Sequence, residues 1–381
     1  MKITAIKSYM TCFGSRPRVL VKIETDEGLY GWGEAYNHGP DRSIPPIVDY
    51  IFEMIQGEDP RRIEYIMLKL YQQFRFPPGA MGLAAFSAVD HALWDISGKA
   101  ANLPVYMLLG GSVRDRVRVY AHFGGNDGVE AAEQAAALNE KWGFTAFKTG
   151  PYKISPDASR WGRVCSEAAR YFEGIRINSP EDWEFAFDAH AKIFEPIKAL
   201  QLANALAPYD PLFYEEPLRP EYIPAWARLR SQMQVPLATG ESLYSRFEFL
   251  DLIAAQGADI IQPDICACGG LLEMRKIAAI AEAHYVTVAP HNPMGPIATA
   301  VNVHFAAATP NFSILEYILP LNSDWKNWVD EPYLPKDGYL ELRPDRPGLG
   351  IEVNEDAFAN DEYNHWQRTC PIRPDGSTGY I

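Results

Sequence analysis

The apolar positions along this chain change their period at about residue 115 and lose it near residue 321. In the first stretch they alternate with polar ones, as in the opening MKITAIKSYM and in the runs Val19 to Glu24 and Leu29 to Ala35. Those two runs flank Thr25-Asp26-Glu27-Gly28, a turn sequence that predicts a hairpin. Helical spacing follows over Ile44 to Ile55, Ile63 to Phe74 and Ala84 to Ala101, with Gly57-Glu58-Asp59-Pro60 breaking the first from the second. Residues 1–115 therefore read as a small α+β unit. From Arg116 short apolar runs take over: Val117 to Phe123, Phe144 to Lys148, Glu184 to Asp188, Leu212 to Glu215, Val235 to Gly240, Asp259 to Gln262, Val286 to Pro290 and Phe312 to Glu316. Amphipathic stretches such as Val129 to Lys141, Pro196 to Leu206, Phe247 to Gln256 and Leu271 to Ala283 separate them. Strand alternating with helix implies parallel pairing, and eight strands at this pitch imply a closed (β/α) barrel over residues 116–320. Residues 321–381 are rich in Pro, Asp, Trp and Tyr, and their strand-like pieces, Tyr339 to Arg343 and Gly350 to Val353, are expected to return to the first domain.

Composition narrows the classes. The 381 residues are 47% hydrophobic, enough for a large core, and carry 35 Lys plus Arg against 49 Asp plus Glu, a net charge of −14. Such a surface repels nucleic-acid phosphates and anionic lipid heads. No run approaches the ~20 apolar residues that span a membrane. The five cysteines are scattered and odd in number, which points to a reducing compartment, the cytoplasm, rather than a disulfide framework. Cys266 and Cys268 lie two apart, but no second pair accompanies them, and a strand-to-helix turn beside Gly269 and Gly270 accounts for both.

In a barrel of this kind the chemistry sits at the carboxyl ends of the strands. Seven runs end at or next to Lys148, Asp188, Glu215, Glu241, Asp264, His291 and Glu316, and from Asp188 onward these recur roughly every 25 residues, once per unit. Each alone has a plain structural explanation, such as a helix cap for Asp188 or a solvated loop for the Glu215-Glu216 pair. Together, a ring of carboxylates at one depth would repel itself, and a divalent cation resolves the conflict. Asp188, Glu215 and Glu241 offer only oxygen, which suits Mg²⁺. Strand alternation lets only one of Glu215 and Glu216 face the axis. His291 beside Asp264 makes a credible general base, because a carboxylate behind an imidazole fixes its tautomer and raises its basicity. His190, two residues past Asp188, is a candidate general acid. Lys148 either pairs with its acidic neighbours or contacts a substrate carboxylate.

These residues resemble the enolase superfamily, within its mandelate racemase-like group, and most closely the acid-sugar dehydratases of the galactonate dehydratase type. The likeness is carried by Ala88-Val89-Asp90-His91-Ala92-Leu93-Trp94-Asp95, Asp188-Ala189-His190, Tyr214-Glu215-Glu216-Pro217, Gly240-Glu241-Ser242, Gln262-Pro263-Asp264, Pro290-His291-Asn292-Pro293-Met294-Gly295-Pro296-Ile297 and Pro347-Gly348-Leu349-Gly350-Ile351. It implies a modified (β/α)7β barrel with an α+β capping domain formed by the N- and C-terminal segments. It implies Asp188, the first glutamate Glu215, and Glu241 as Mg²⁺ ligands, His291 with Asp264 as the base, His190 as the acid for a leaving 3-hydroxyl, and Glu316 as a hydrogen-bonding partner of the substrate. Asp90 and Asp95 are then structural. A homo-oligomer is implied as well. Lys148-Thr149-Gly150 lacks the second lysine of a racemase Lys-x-Lys, and Ala191-Lys192 replaces the Gly-Arg that galactonate dehydratases show after this histidine.

The expected reaction is removal of the C2 proton of an aldonate-type sugar acid and elimination of the 3-hydroxyl to give a 2-keto-3-deoxy acid. The alternative is an epimerase, racemase or cycloisomerase using the same proton abstraction. A metal-dependent hydrolase would call for His-rich ligation, which these positions lack. The capping loops, about Thr11 to Arg18 and Tyr36 to Ser43, would close over the barrel, with Arg16, Arg18, Asn37 and His38 as candidates for reading substrate or simply solvated.

Overall fold

A computed structural model describes the chain except residues 14–15, 38, 320–326, 359–362, 365–368 and 380–381. The first domain opens with β1 (Ile3–Phe13), β2 (Arg16–Thr25) and β3 (Tyr30–Ala35), an antiparallel sheet in that order. Its helices are α1 (Ile44–Ile55), α2 (Ile63–Gln73), α3 (Gly79–Ala101) and the short α4 (Val105–Leu108). The long α3 is apolar on most sides because it is buried between this sheet and the barrel. Gly31 and Gly33 let β3 lie directly on it. A Cβ at Gly31 would stand 2.1 Å from the Ala92 carbonyl oxygen, and one at Gly33 1.8 Å from that of Ala88. This close approach is what carries Glu34, the next residue, through to the barrel side.

The barrel follows as β4 (Arg116–His122), α5 (Gly128–Trp142), β5 (Ala146–Thr149), α6 (Trp161–Ile177), β6 (Glu184–Asp188), α7 (Pro196–Leu206), β7 (Tyr214–Glu215), α8 (Ile223–Arg230), β8 (Leu237–Thr239), α9 (Arg246–Ala254), β9 (Ile260–Ile261), α10 (Leu271–Ala283), β10 (Thr287–Val288), α11 (Pro296–Ala307) and β11 (Leu315–Tyr317). All neighbouring strands from β4 to β10 pair in parallel, and β11 pairs with β4. A parallel bridge from Val288 to Phe312 joins β10 to the chain entering β11, so the ring closes with seven helices between eight strands among the described residues. Tyr120, Ala146, Ala186, Phe213, Ala238, Ala289 and Ile314 fill its interior, alanines facing the bulkier rings.

The C-terminal stretch departs from the expectation at one point. Tyr339–Glu341 forms β12, which pairs antiparallel with residues 116–118 of β4 rather than with the first sheet. The Arg116 guanidinium lies 3.8 Å from the centre of the Tyr339 ring, which favours that register. Beyond it the chain does meet the first domain. Leu349 N donates to Asp95 Oδ1 at 3.0 Å, Glu355 receives Lys22 Nζ at 2.6 Å, and Phe358 packs edge-on against Tyr9 and Trp32. Val353 makes only an isolated bridge, to Val329.

Carboxylates of the first domain reach across to barrel helices. Asp90, on α3, accepts from Leu271 N at 2.6 Å and Leu272 N at 3.3 Å, capping α10. The helix supplies no cap of its own because its N-cap is Gly270, where a Cβ would sit 2.4 Å from Asp90 Oδ2. Asp95 accepts from Trp32 N and Lys99 in addition to Leu349 N, which accounts for both aspartates structurally.

Candidate active site

The strand ends converge as the alternation requires. Asp188 and Glu215 are register partners on β6 and β7, and Glu241 follows β8 by two residues. One carboxylate oxygen from each of the three lies within 4.8 Å of the other two. Asp188 and Glu215 are buried, whereas Glu241 retains some exposure toward the mouth.

Lys148, on β5, stands among them. Its Nζ is 2.6 Å from Glu215 Oε1, 2.8 Å from Glu316 Oε1 and 3.4 Å from Asp188 Oδ2. Burial disfavours its charge, but Glu215 and Glu316 outweigh that and hold the ammonium well above the ordinary lysine range. One ammonium does not balance Asp188, Glu215, Glu241 and Glu316. Burial pushes Glu215 up to about 7 despite Lys148, with Asp188 and Glu316 adding repulsion. The other Glu215 oxygen receives Gln262 Nε2 at 2.7 Å. Buried oxygens facing one another with too little positive charge form a donor set that fits a hard divalent cation.

Neither Glu215 nor Glu216 is the solvated loop residue that the sequence left open. The chain turns to a φ of 40° at Glu216, which is also fully buried, with one oxygen 3.3 Å from Gly240 N. Burial, and then Glu241, hold it well above the carboxylate range.

His291 and Asp264, joined by a parallel bridge between their backbones, form the expected dyad, with Nδ1 to Oδ2 at 2.8 Å. Asp264 Oδ1 is fixed by Cys266 N at 2.7 Å, so the buried Cys266 segment belongs to the turn that holds the dyad. The other ring nitrogen of His291 lies 3.3 Å from Glu241 Oε2 and 3.8 Å from Glu316 Oε2. Burial would lower the imidazole, but Glu241, Glu316 and Asp264 together raise it to about 10. His190 approaches from the opposite side. The backbone turns left-handed at His190 and Ala191, placing its Nε2 3.2 Å from Asp188 Oδ2 while Asp188 Oδ1 accepts His190 N at 2.7 Å. Its buried edge and the nearby Lys148 charge lower it from the usual histidine value.

All eight residues singled out in the sequence meet at one end of the barrel. A ninth, His122, was passed over because the first run was read to Phe123. The strand ends at His122, whose Nε2 binds Glu316 Oε1. An ionisable residue at every other strand end was the available signal. Glu316 also accepts Asn292 N at 2.7 Å, so it already faces donors from Lys148, His122 and Asn292. Among the loop candidates, Arg16 is exposed and Asn37 buried. Arg18 is neither solvated nor on a loop. It lies buried on β2, ion-paired with Glu34 at 3.3 Å. His38 lies outside the described residues. The cap wall at the base is Tyr36, its ring 5.9 Å from that of His291.

Comparison with known proteins gives the family. Residues 130–357 match the enolase C-terminal domain-like family, and residues 2–110 match the mandelate racemase/muconate lactonizing enzyme N-terminal domain. The chain belongs to the enolase superfamily, in its mandelate racemase-like group, and is an enzyme of the hydro-lyase type. Among its relatives, a D-galactonate dehydratase of Ralstonia nicotianae is 38% identical over 93% of each chain, and one of Xanthomonas campestris pv. campestris is 36% identical over 99% of each. The crystal structure of an enolase from Agrobacterium radiobacter, a candidate galactarate dehydratase with bound sodium and L-malate, is 57% identical over the whole of both chains, with a TM-score of 0.97. Among the described residues no helix is long and apolar enough to cross a membrane.

Proposed function

We propose that this chain is a Mg²⁺-dependent dehydratase of an aldonate-type sugar acid. It takes the C2 proton and expels the 3-hydroxyl to leave a 2-keto-3-deoxy acid. The observation that carries the reading is the packing of three carboxylates within 4.8 Å, flanked by His291 on one side and His190 on the other. Asp188, Glu215 and Glu241 would hold the cation. When bound, it supplies positive charge against the charge that builds on the substrate carboxylate, and offsets the pull of Glu241 on the His291 proton.

The residues then divide the work. Asp264 holds the Nδ1–H of His291, which leaves Nε2 as the nitrogen that receives the C2 proton. Lys148 offers its ammonium to the substrate carboxylate from the floor of the site. His190, whose proton is weakly held in the resting site, gains affinity for it beside an anionic substrate and gives it to the departing hydroxyl, which leaves as water. The proton lost from C2 remains on His291 until it returns to C3 as the enol becomes the ketone, and the enol O–H proton released in that step restores His190. The dehydratase relatives and the missing second lysine after Lys148 both favour elimination over two-base racemisation.

The test is a panel of aldonates and aldarates incubated with the protein and Mg²⁺, assayed for semicarbazide-reactive 2-keto acid. One or more members should give a keto acid in step with loss of the C2 proton. Epimerised acid or lactone conversion without keto acid from every member would overturn the reading.

A further inference from the structure

The loop that carries His291 is held by the other domain. In Pro290-His291-Asn292-Pro293-Met294-Gly295-Pro296 the three prolines have no N–H to anchor the backbone. Glu34 of β3 supplies an anchor from outside. Its Oε1 accepts Gly295 N at 2.8 Å and its Oε2 accepts Ala298 N at 3.0 Å, so it caps the twelve-residue α11, which has no side-chain cap of its own. Arg18 of β2 completes the clasp. Its Nη2 donates to the Pro293 carbonyl at 2.9 Å and its Nε lies 3.3 Å from Glu34 Oε1. Both side chains are buried, at 0% and 1% exposure. Gly295 is required there, since a Cβ would stand 2.7 Å from Glu34 Oε1.

Asp90 makes a comparable clasp on α10, but its hydrogen bonds go to Leu271 and Leu272, separated from Asp264 by the conformationally free Gly269-Gly270 pair rather than by a proline-stiffened chain. The Glu34 and Arg18 contacts fall two to seven residues from His291, along a stiff chain. From these contacts we infer that Glu34 and Arg18 are positioning residues for the reaction. The capping domain, through this buried ion pair, sets where the His291 ring stands relative to Asp264 and Glu241. The inference rests on His291 being the base, as proposed above. A displacement of about 1 Å at such a group can cost roughly 100-fold in rate.

The test uses the full-length, Mg²⁺-loaded protein with Glu34→Gln. With the acid sugar found by the panel, in ordinary and C2-deuterated forms, kcat should fall about 10- to 100-fold, the range for outer partners of a site. The deuterium isotope effect on kcat should rise, while KM and the affinity for Mg²⁺ alone change less than about 3-fold. Asp90→Ala, a clasp of the same kind elsewhere, should lower the melting temperature and leave the isotope effect alone. If Glu34→Gln does not fold, Gly295→Ala displaces the same carboxylate. Wild-type kcat and isotope effect in a folded variant would overturn the proposal, as would loss of Mg²⁺ affinity in step with kcat. Crystals of wild type and Glu34→Gln give an arm independent of turnover. The His291 ring should shift by about 0.5 Å or more, the tolerance of a productive site, and an unmoved ring overturns the positioning role. Absence of wild-type turnover on the panel counts against the function proposed above and leaves this arm standing.

Discussion

The barrel mouth and the seam between the two domains both bury carboxylates, yet they neutralise them in opposite ways. At the seam each acid stands apart from other acids and faces backbone donors, joined at Glu34 by Arg18 and at Asp95 by Lys99: Glu34 caps α11, Asp90 caps α10, and Asp95 receives Trp32 and Leu349. At the mouth Asp188, Glu215 and Glu241 face one another. Two seam histidines contrast with the dyad histidine in the same way, whereas His190, at the mouth, is lowered by burial and by Lys148. At the seam His91 faces the Ile265 carbonyl and His304 accepts from Tyr106 N; burial lowers them to about 3 and about 4. At the mouth, His291 is raised to about 10 against burial because acids surround it. A seam acid serves the fold; the mouth acids repel one another, and Lys148 compensates them only in part. Buried repulsion at a strand end thus marks function more surely than burial does.

The largest test of this contrast is His291→Asn. Turnover of the acid sugar should fall about 100- to 10,000-fold, as for loss of a general base, with Mg²⁺ affinity retained; wild-type activity in that variant would remove His291 from its role. Next comes Asp188→Asn, which should weaken Mg²⁺ binding more than the roughly 10- to 100-fold seen when an outer partner is removed, as read by calorimetric titration.

Two stability measurements sharpen the comparison further. Asp90→Ala leaves two helix N–H groups without an acceptor and should cost about 1–3 kcal/mol in denaturant unfolding. Glu215→Gln in metal-free protein should be neutral or stabilising, because burial and the neighbouring acids disfavour the Glu215 charge more than Lys148 favours it, and should abolish the extra stability that Mg²⁺ confers on the wild type. An equal loss in both variants would erase the distinction between mouth and seam.

Per pH unit, the smallest effect is on acid stability. His91 and His304 are neutral in the folded chain well below their ordinary value of 6.5. Between pH 6.5 and about 4 the unfolded chain binds protons that the folded chain refuses, so stability falls with pH, by up to about 1.4 kcal/mol per unit for each ring. His304→Gln should flatten that slope across the window. A variant as acid-sensitive as the wild type would remove His304 from the account.

Much of the architecture could be read from periodicity. The eight apolar runs correspond to β4 through β11, because a strand buried on both faces must be continuously apolar and its flanking helices amphipathic. Ionisable residues at successive strand ends pointed to the candidate site, since groups of that kind have no reason to recur once per unit in a core. His122 was missed through a one-residue error at a strand end, the least certain feature of any such reading. Tyr339–Glu341 was assigned to the wrong neighbour because strand pairing at long sequence separation leaves no local mark.

What the sequence by itself determined is therefore the alternation, the barrel and the identity of the groups at its mouth, all of which follow from local period and residue type. Only the tertiary structure decided that Glu216 is buried, that Arg18 pairs with Glu34 instead of meeting solvent, and that Glu34 and Asp90 find helix ends. Those outcomes depend on which backbone N–H comes within about 3 Å of a carboxylate, the reach of a hydrogen bond. The packing of two domains fixes that distance, and no window of the sequence contains it.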